Sequence, residues 1–124
     1  MQLTKNFTVE EFQCRCGKCA WNGVDSAFIS KLQALRDDLG FAFKITSGVR
    51  CATYNTIVGG AIDSAHIAKK AADIAVSGLN AFELVQNAME MGFTGFGMKQ
   101  HGPIDKRFIH LDTYHDEPTI WTYQ

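Results

Sequence analysis

Ser64-Ala65-His66-Ile67-Ala68-Lys69-Lys70-Ala71-Ala72-Asp73-Ile74-Ala75-Val76 is the stretch on which the reading of this chain turns. Ala71 to Val76 is a short apolar run that reads as a buried strand, and His66 and Asp73 stand on either side of the passage from loop to strand. Downstream, Phe108 to Thr113 alternates, so a strand would place Phe108, His110 and Asp112 on one face. Two imidazoles and one carboxylate form a borderline-soft donor set suited to zinc, with a fourth position left for water. Such a site suits hydrolysis. Zinc lowers the pKa of its water toward neutrality and polarises a carbonyl, provided that a base takes the proton.

The flanking elements set the fold class. Thr8 followed by Glu11 is a capping box, with Phe7 and Phe12 beside it, and predicts a short first helix. Asp25 or Ser26 then caps a helix with Phe28, Ile29, Leu32, Leu35 and Leu39 on one face, ended by Gly40. Phe41 to Val49 reads as a strand, and a short helix around Tyr54 to Val58 should stop at Gly59-Gly60. Asn80 to Met91 reads as a helix with Phe82, Val85, Ala88 and Met89 inward. Gly92, Gly95, Gly97 and Gly102 punctuate the short segments that precede the last strand. The expected class is α+β, a small, largely antiparallel sheet with helices packed on it, and residues 1–124 are expected to form one domain.

Composition narrows the function. The chain has 124 residues, 46% of them hydrophobic and 20% charged, which is ordinary globular composition and enough to bury a core without help from a metal or disulfides. A net charge of −1 offers no field for a phosphate backbone, so nucleic acid is not an expected partner. No run approaches the length of a membrane span, and Met1 to Asn6 lacks a signal peptide's apolar stretch. The expectation is therefore a product that is cytoplasmic when made. Cys14, Cys16 and Cys19 crowd into one loop while Cys51 stands apart. These four are either free thiols or, with their Cys-x-Cys-x-x-Cys spacing and distant fourth member, a second, structural metal site.

Beyond these spacings, the segments Thr46-Ser47-Gly48-Val49-Arg50, Tyr54-Asn55, Val58-Gly59-Gly60-Ala61, Ser64-Ala65-His66, Ala71-Ala72-Asp73-Ile74 and Phe108-Ile109-His110-Leu111-Asp112 together resemble one family. It is that of the zinc D-Ala-D-Ala carboxypeptidases, which includes phage endolysin peptidases, the vancomycin-resistance dipeptidases and carboxypeptidases and, more distantly, the zinc domain of hedgehog signalling proteins. The likeness runs from about Phe7 to the end. It implies a hedgehog/D,D-peptidase-like fold, Zn2+ held by His66, Asp73 and His110, and Arg50 and Ser64 as substrate contacts. It also implies hydrolysis of an amide bond in peptidoglycan stem peptides by a monomer. The protein would act as a carboxypeptidase or endopeptidase, on the wall after release from the cell or from the virion.

The chain departs from the family's pattern in two respects. Lys69 stands where a glycine commonly follows the first histidine, and Arg107 and Phe108 occupy the places where relatives carry the glutamate or histidine that accepts the proton. Asp112, about 6–7 Å along the strand from His110, is either the substitute base or a partner that orients a histidine ligand. His101, in a glycine-containing loop, is the second candidate, while His115 in a charged tail reads as solvated. Trp121 and Tyr123 read as core or wall. The missing base leaves open a non-catalytic zinc-binding module, or a structural phage protein with a vestigial site.

Overall fold

A computed structural model describes residues 1–123. Thr8 and Glu11 close the expected capping box on helix α1 (Val9–Phe12). Asp25, with its carboxylate on the Phe28 amide, caps α2 (Ser26–Leu39), and Gly40 ends it in the left-handed conformation. Strand β1 (Lys44–Ser47) is shorter than the run from Phe41 to Val49 suggested. The chain leaves the sheet at Gly48, where the Phe12 backbone packs so closely that a Cβ would collide with it. There follow α3 (Ala52–Ile57), β2 (Ala71–Ala75), α4 (Gly78–Glu90), β3 (Gly95–Lys99), a 3-10 turn (Ile104–Lys106), β4 (Phe108–Asp112) and β5 (Thr119–Thr122).

The five strands form one sheet in the order β1-β2-β4-β3-β5, antiparallel except for the β3–β5 pair. The architecture is thus the expected α+β one with a largely antiparallel sheet. Ala72, Ile74, Phe96, Ile109 and Leu111 point to one face, where they join Phe28, Leu32, Leu35 and Leu84 of α2 and α4 in the core. Each large side chain buried there contributes roughly 1.5–3 kcal/mol. Strand alternation sends Asp73, His110 and Asp112 to the other face, and the register sets Asp73 opposite His110.

Helix α4 bears out part of the expected inward face, since Ala88 is buried and Val85 packs against the core, and corrects the rest. Ala81, Leu84 and Ala88 are its buried residues, whereas Phe82 is 65% and Met89 44% exposed. The packed face takes Ala81 and Leu84 where Phe82 and Met89 were expected, and its small alanines allow a closer approach of helix to sheet. Among the described residues, no helix is long and apolar enough to cross a membrane.

Candidate metal centre

His66 comes from a turn just before β2, Asp73 from β2 and His110 from β4, and all three are buried. Asp73 Oδ1 lies 3.2 Å from His66 Nε2 and 3.0 Å from His110 Nδ1. The two nitrogens are themselves 3.2 Å apart, closing a triangle. The far side of each ring fixes its tautomer. His66 Nδ1 donates to the Gly48 carbonyl at 2.6 Å, and His110 Nε2 donates to Asp112 Oδ2 at 2.7 Å. In the neutral rings, the nitrogens that face Asp73 therefore carry lone pairs.

Three acceptors converging on one point call for a positive charge between them. Burial opposes the charged forms of both Asp73 and His110. When the imidazoles are protonated, their N–H groups on Asp73 nevertheless hold its carboxyl well below the usual carboxylate range, and Asp112 and Asp73 raise the pKa of His110; a metal ion would take the place of those protons. A tetrahedral zinc ion with ligands at about 2.0–2.1 Å has ligand–ligand edges of roughly 3.3 Å, close to the triangle's sides. The donor set and its spacing fit the ion. These three residues also form a group able to hold a metal when judged on distance alone.

Around the triangle the fold supplies orienting partners. Arg50 Nη2 lies 3.5 Å from Asp73 Oδ2, and its other nitrogens donate to Ser47 Oγ and Asn55 Oδ1, both at 3.2 Å. This grip turns Oδ1 toward the imidazoles. Ser64 Oγ accepts the His66 amide at 3.1 Å and so caps the turn that presents the ring. Room for the polar cluster comes from the neighbouring strand. A Cβ on Gly95 would fall on the Asp112 carboxylate, and one on Gly97 would meet His110 Cβ at 2.9 Å. Lys69 adopts φ 66°, the left-handed conformation that suits the family's glycine, so it does not sit at ordinary angles. Its ammonium donates to the Asn22 carbonyl at 2.6 Å.

Asp112 stands behind His110, on the opposite side of the ring from the triangle, and is 0% exposed. Its Oδ1 accepts from the Tyr114 amide at 3.0 Å and from His115 Nδ1 at 2.9 Å. Burial works against its charge, yet His110 and His115 lower its pKa. The geometry is that of an orienting partner, and the ring between Asp112 and the triangle keeps the carboxylate from acting as the base there. His101 is not brought to the site. It is exposed, and its Nε2 donates to the Tyr123 carbonyl at 2.9 Å. The turn that carries it follows the end of β3, where Gln100 is tied down by the Val76 and Phe108 carbonyls.

His115, by contrast, is drawn in. It borders a cavity of about 680 Å³ that opens over the triangle and is also lined by Arg50, Ser64, Phe108, Trp121 and Tyr123. The Trp121 ring lies between the two imidazoles, with centroids 5.0 Å from His110 and 5.4 Å from His115. With Nδ1 on Asp112, His115 Nε2 has no protein partner among the described residues. The sequence signal for this residue was its place three positions after Asp112, which is meaningful only once the chain turns back at Thr113. Burial raises the Tyr123 pKa and keeps its hydroxyl protonated.

The cysteines form a second cluster. All four ligand atoms of Cys14, Cys16, Cys19 and Cys51 lie within 4.8 Å of one another, and none is in a disulfide. Residues 5–112 match the family model described as Peptidase M15. No curated protein matches the chain.

Proposed function

The chain belongs to the Peptidase M15 family, and from that premise we propose that it is a zinc metallopeptidase that hydrolyses an amide bond in peptidoglycan stem peptides. It would either trim a terminal D-alanine or cut within the peptide, reaching the wall after release from the cell or from a virion. The carrying observation is the triangle of His66 Nε2, Asp73 Oδ1 and His110 Nδ1, with both tautomers fixed so that lone pairs converge, on the wall of an open cavity.

Zinc, which these three residues would hold, would supply Lewis-acid polarisation of the scissile carbonyl and a water acidified toward neutral pH. The chain's own residues do the rest. Arg50 fixes the Asp73 carboxylate and borders the cavity, where its always-charged fork suits a peptide's terminal carboxylate or polarised carbonyl. Asp112 accepts from His110 and His115 together, which orients one ring toward the metal and leaves Nε2 of the other to take the attacking water's proton. The leaving amine then receives that proton. The Tyr123 hydroxyl on the cavity wall, protonated at neutral pH, is a donor for the developing oxyanion. His115 thus replaces the acceptor that Arg107 and Phe108 do not provide.

The test is incubation of zinc-loaded protein with purified peptidoglycan and with a D-alanyl-D-alanine-terminated stem peptide, products being read by mass spectrometry. Release of alanine or of cut stem peptides, abolished by His66→Ala, is the expected result. If neither substrate is cleaved while the triangle holds its zinc, the peptidoglycan reading fails and a non-catalytic zinc module takes its place.

A further inference from the structure

The loop between α1 and α2 has little of its own to hold it. Among the described residues, no backbone–backbone hydrogen bond involves Cys14 to Val24, and no helix or strand lies there. Ordering such a segment costs about 1–2 kcal/mol per residue in backbone entropy. Trp21 and Val24 pack partly against the core. Arg15 donates to the Gln13, Glu11 and Ile45 carbonyls, and Lys69 to that of Asn22; beside these contacts, what gathers the loop is the set of sulfurs.

Cys16 and Cys19 bring their sulfurs to 3.3 Å, and all four lie within 4.8 Å of one another. Thiolates at about 2.3 Å from zinc stand roughly 3.8 Å apart, between these two figures. A disulfide joins sulfurs in pairs at about 2.0 Å and gives a third and fourth no reason to converge. Cys16-Gly17-Lys18-Cys19 makes a knuckle, with Gly17 at φ 71° turning the chain. The Lys18 and Cys19 amides both donate to Cys16 Sγ at 3.3 Å. The Cys51 amide donates to Cys14 Sγ, and the Tyr54 amide to Cys51 Sγ, each at 3.4 Å. Donors aimed at sulfur stabilise the negative charge of a thiolate, as the outer shell of a metal site does.

We infer that Cys14, Cys16, Cys19 and Cys51 bind one structural zinc ion, distinct from the histidine site, that pins the loop to the turn carrying Arg50. Cys51 is the N-cap of α3 and directly follows Arg50, whose guanidinium grips Asp73. The metal thereby links the start of the chain to the wall of the cavity. This inference stands apart from the peptidase reading, since it uses none of the same ligands.

Zinc counting on protein purified under reducing conditions tests it, with cobalt substitution as a second reading. The expected result is two zinc ions per chain in the unaltered protein, one in His66→Ala and one in Cys16→Ser/Cys19→Ser. The cobalt form should show thiolate-to-cobalt charge-transfer absorption that His66→Ala retains and the cysteine variant loses. If the cysteine variant does not fold, the cobalt spectrum of the unaltered protein decides. A single zinc ion that His66→Ala removes, a cobalt form without thiolate charge transfer, or sulfurs found paired as disulfides by intact mass would each overturn it. Two bound zinc ions without peptide cleavage would leave this site standing and sink only the peptidase reading.

Discussion

His66, Asp73 and His110 are carried by a turn and two paired strands, while Cys14, Cys16 and Cys19 sit in a loop that makes no backbone ladder and meets Cys51 at the start of a short helix. In the first cluster the sheet register sets Asp73 opposite His110, and Gly48, Asp112 and Arg50 aim the donor atoms. In the second, the sulfurs themselves supply much of what organises the chain around them. A site built on a sheet is held in place by the core behind it, with Ile74, Ile109 and Leu111 anchoring its strands whether or not an ion is present. A site built on a loop makes folding and metal binding one event.

The sharpest attempt to break this contrast is His110→Ala. Activity on stem peptides should fall at least ~10³-fold, about 4 kcal/mol of transition-state stabilisation, while circular dichroism stays that of the unaltered protein. Unfolding of the variant would mean that the triangle supports the sheet and not the reverse. His115→Gln should lower kcat by about 10²-fold with zinc content unchanged, measured by steady-state hydrolysis beside metal analysis. Full activity in that variant would remove His115 from the proton path.

Asp112→Asn addresses the support of the histidine site. It should weaken zinc binding there by about 10–100-fold in a competition titration with a chelating dye, without touching the cysteine cluster. Chelation of all metal should separate the two regions by hydrogen exchange. Amides of residues 14–24 should exchange at least ~10-fold faster, while those of β2 and β4 keep their protection. Equal loosening of both would erase the distinction. The smallest effect is expected where the regions touch. Lys69 ties Asn22 of the loop to the turn after His66, at the expense of a left-handed backbone. Lys69→Gly relieves roughly 1 kcal/mol of strain and removes one hydrogen bond of similar worth, so thermal unfolding should stay nearly unchanged, with the loop more mobile.

Much of this was legible in the chain of residues. The capping box at Thr8, the Asp25 cap and Gly40 stop, and the apolar run at Ala71 are local signals, and each produced the element it announced. The inward face of α4 was only partly legible: Ala88 and Val85 do face the core, but nothing local separates Phe82 and Met89 from Ala81 and Leu84 until a sheet is there to choose. The place of His115 was not legible. Its neighbours Asp116 and Glu117 mark a solvated tail by composition, and only the turn after β4 folds its ring back onto Asp112.

The sequence by itself determined most of the helices and the strands at Ala71 and Phe108, that His110 and Asp112 share a strand face, and, through the resemblance its motifs carry, the family. Spacing and periodicity are short-range properties, and the backbone converts them into geometry without reference to the rest of the molecule. Only the tertiary structure decided that Asp112 stands behind His110, that His101 is turned away and His115 drawn in, and that four cysteines from two distant segments meet. Those outcomes depend on which elements pack against which, and burial and strand pairing set that over the whole chain at once.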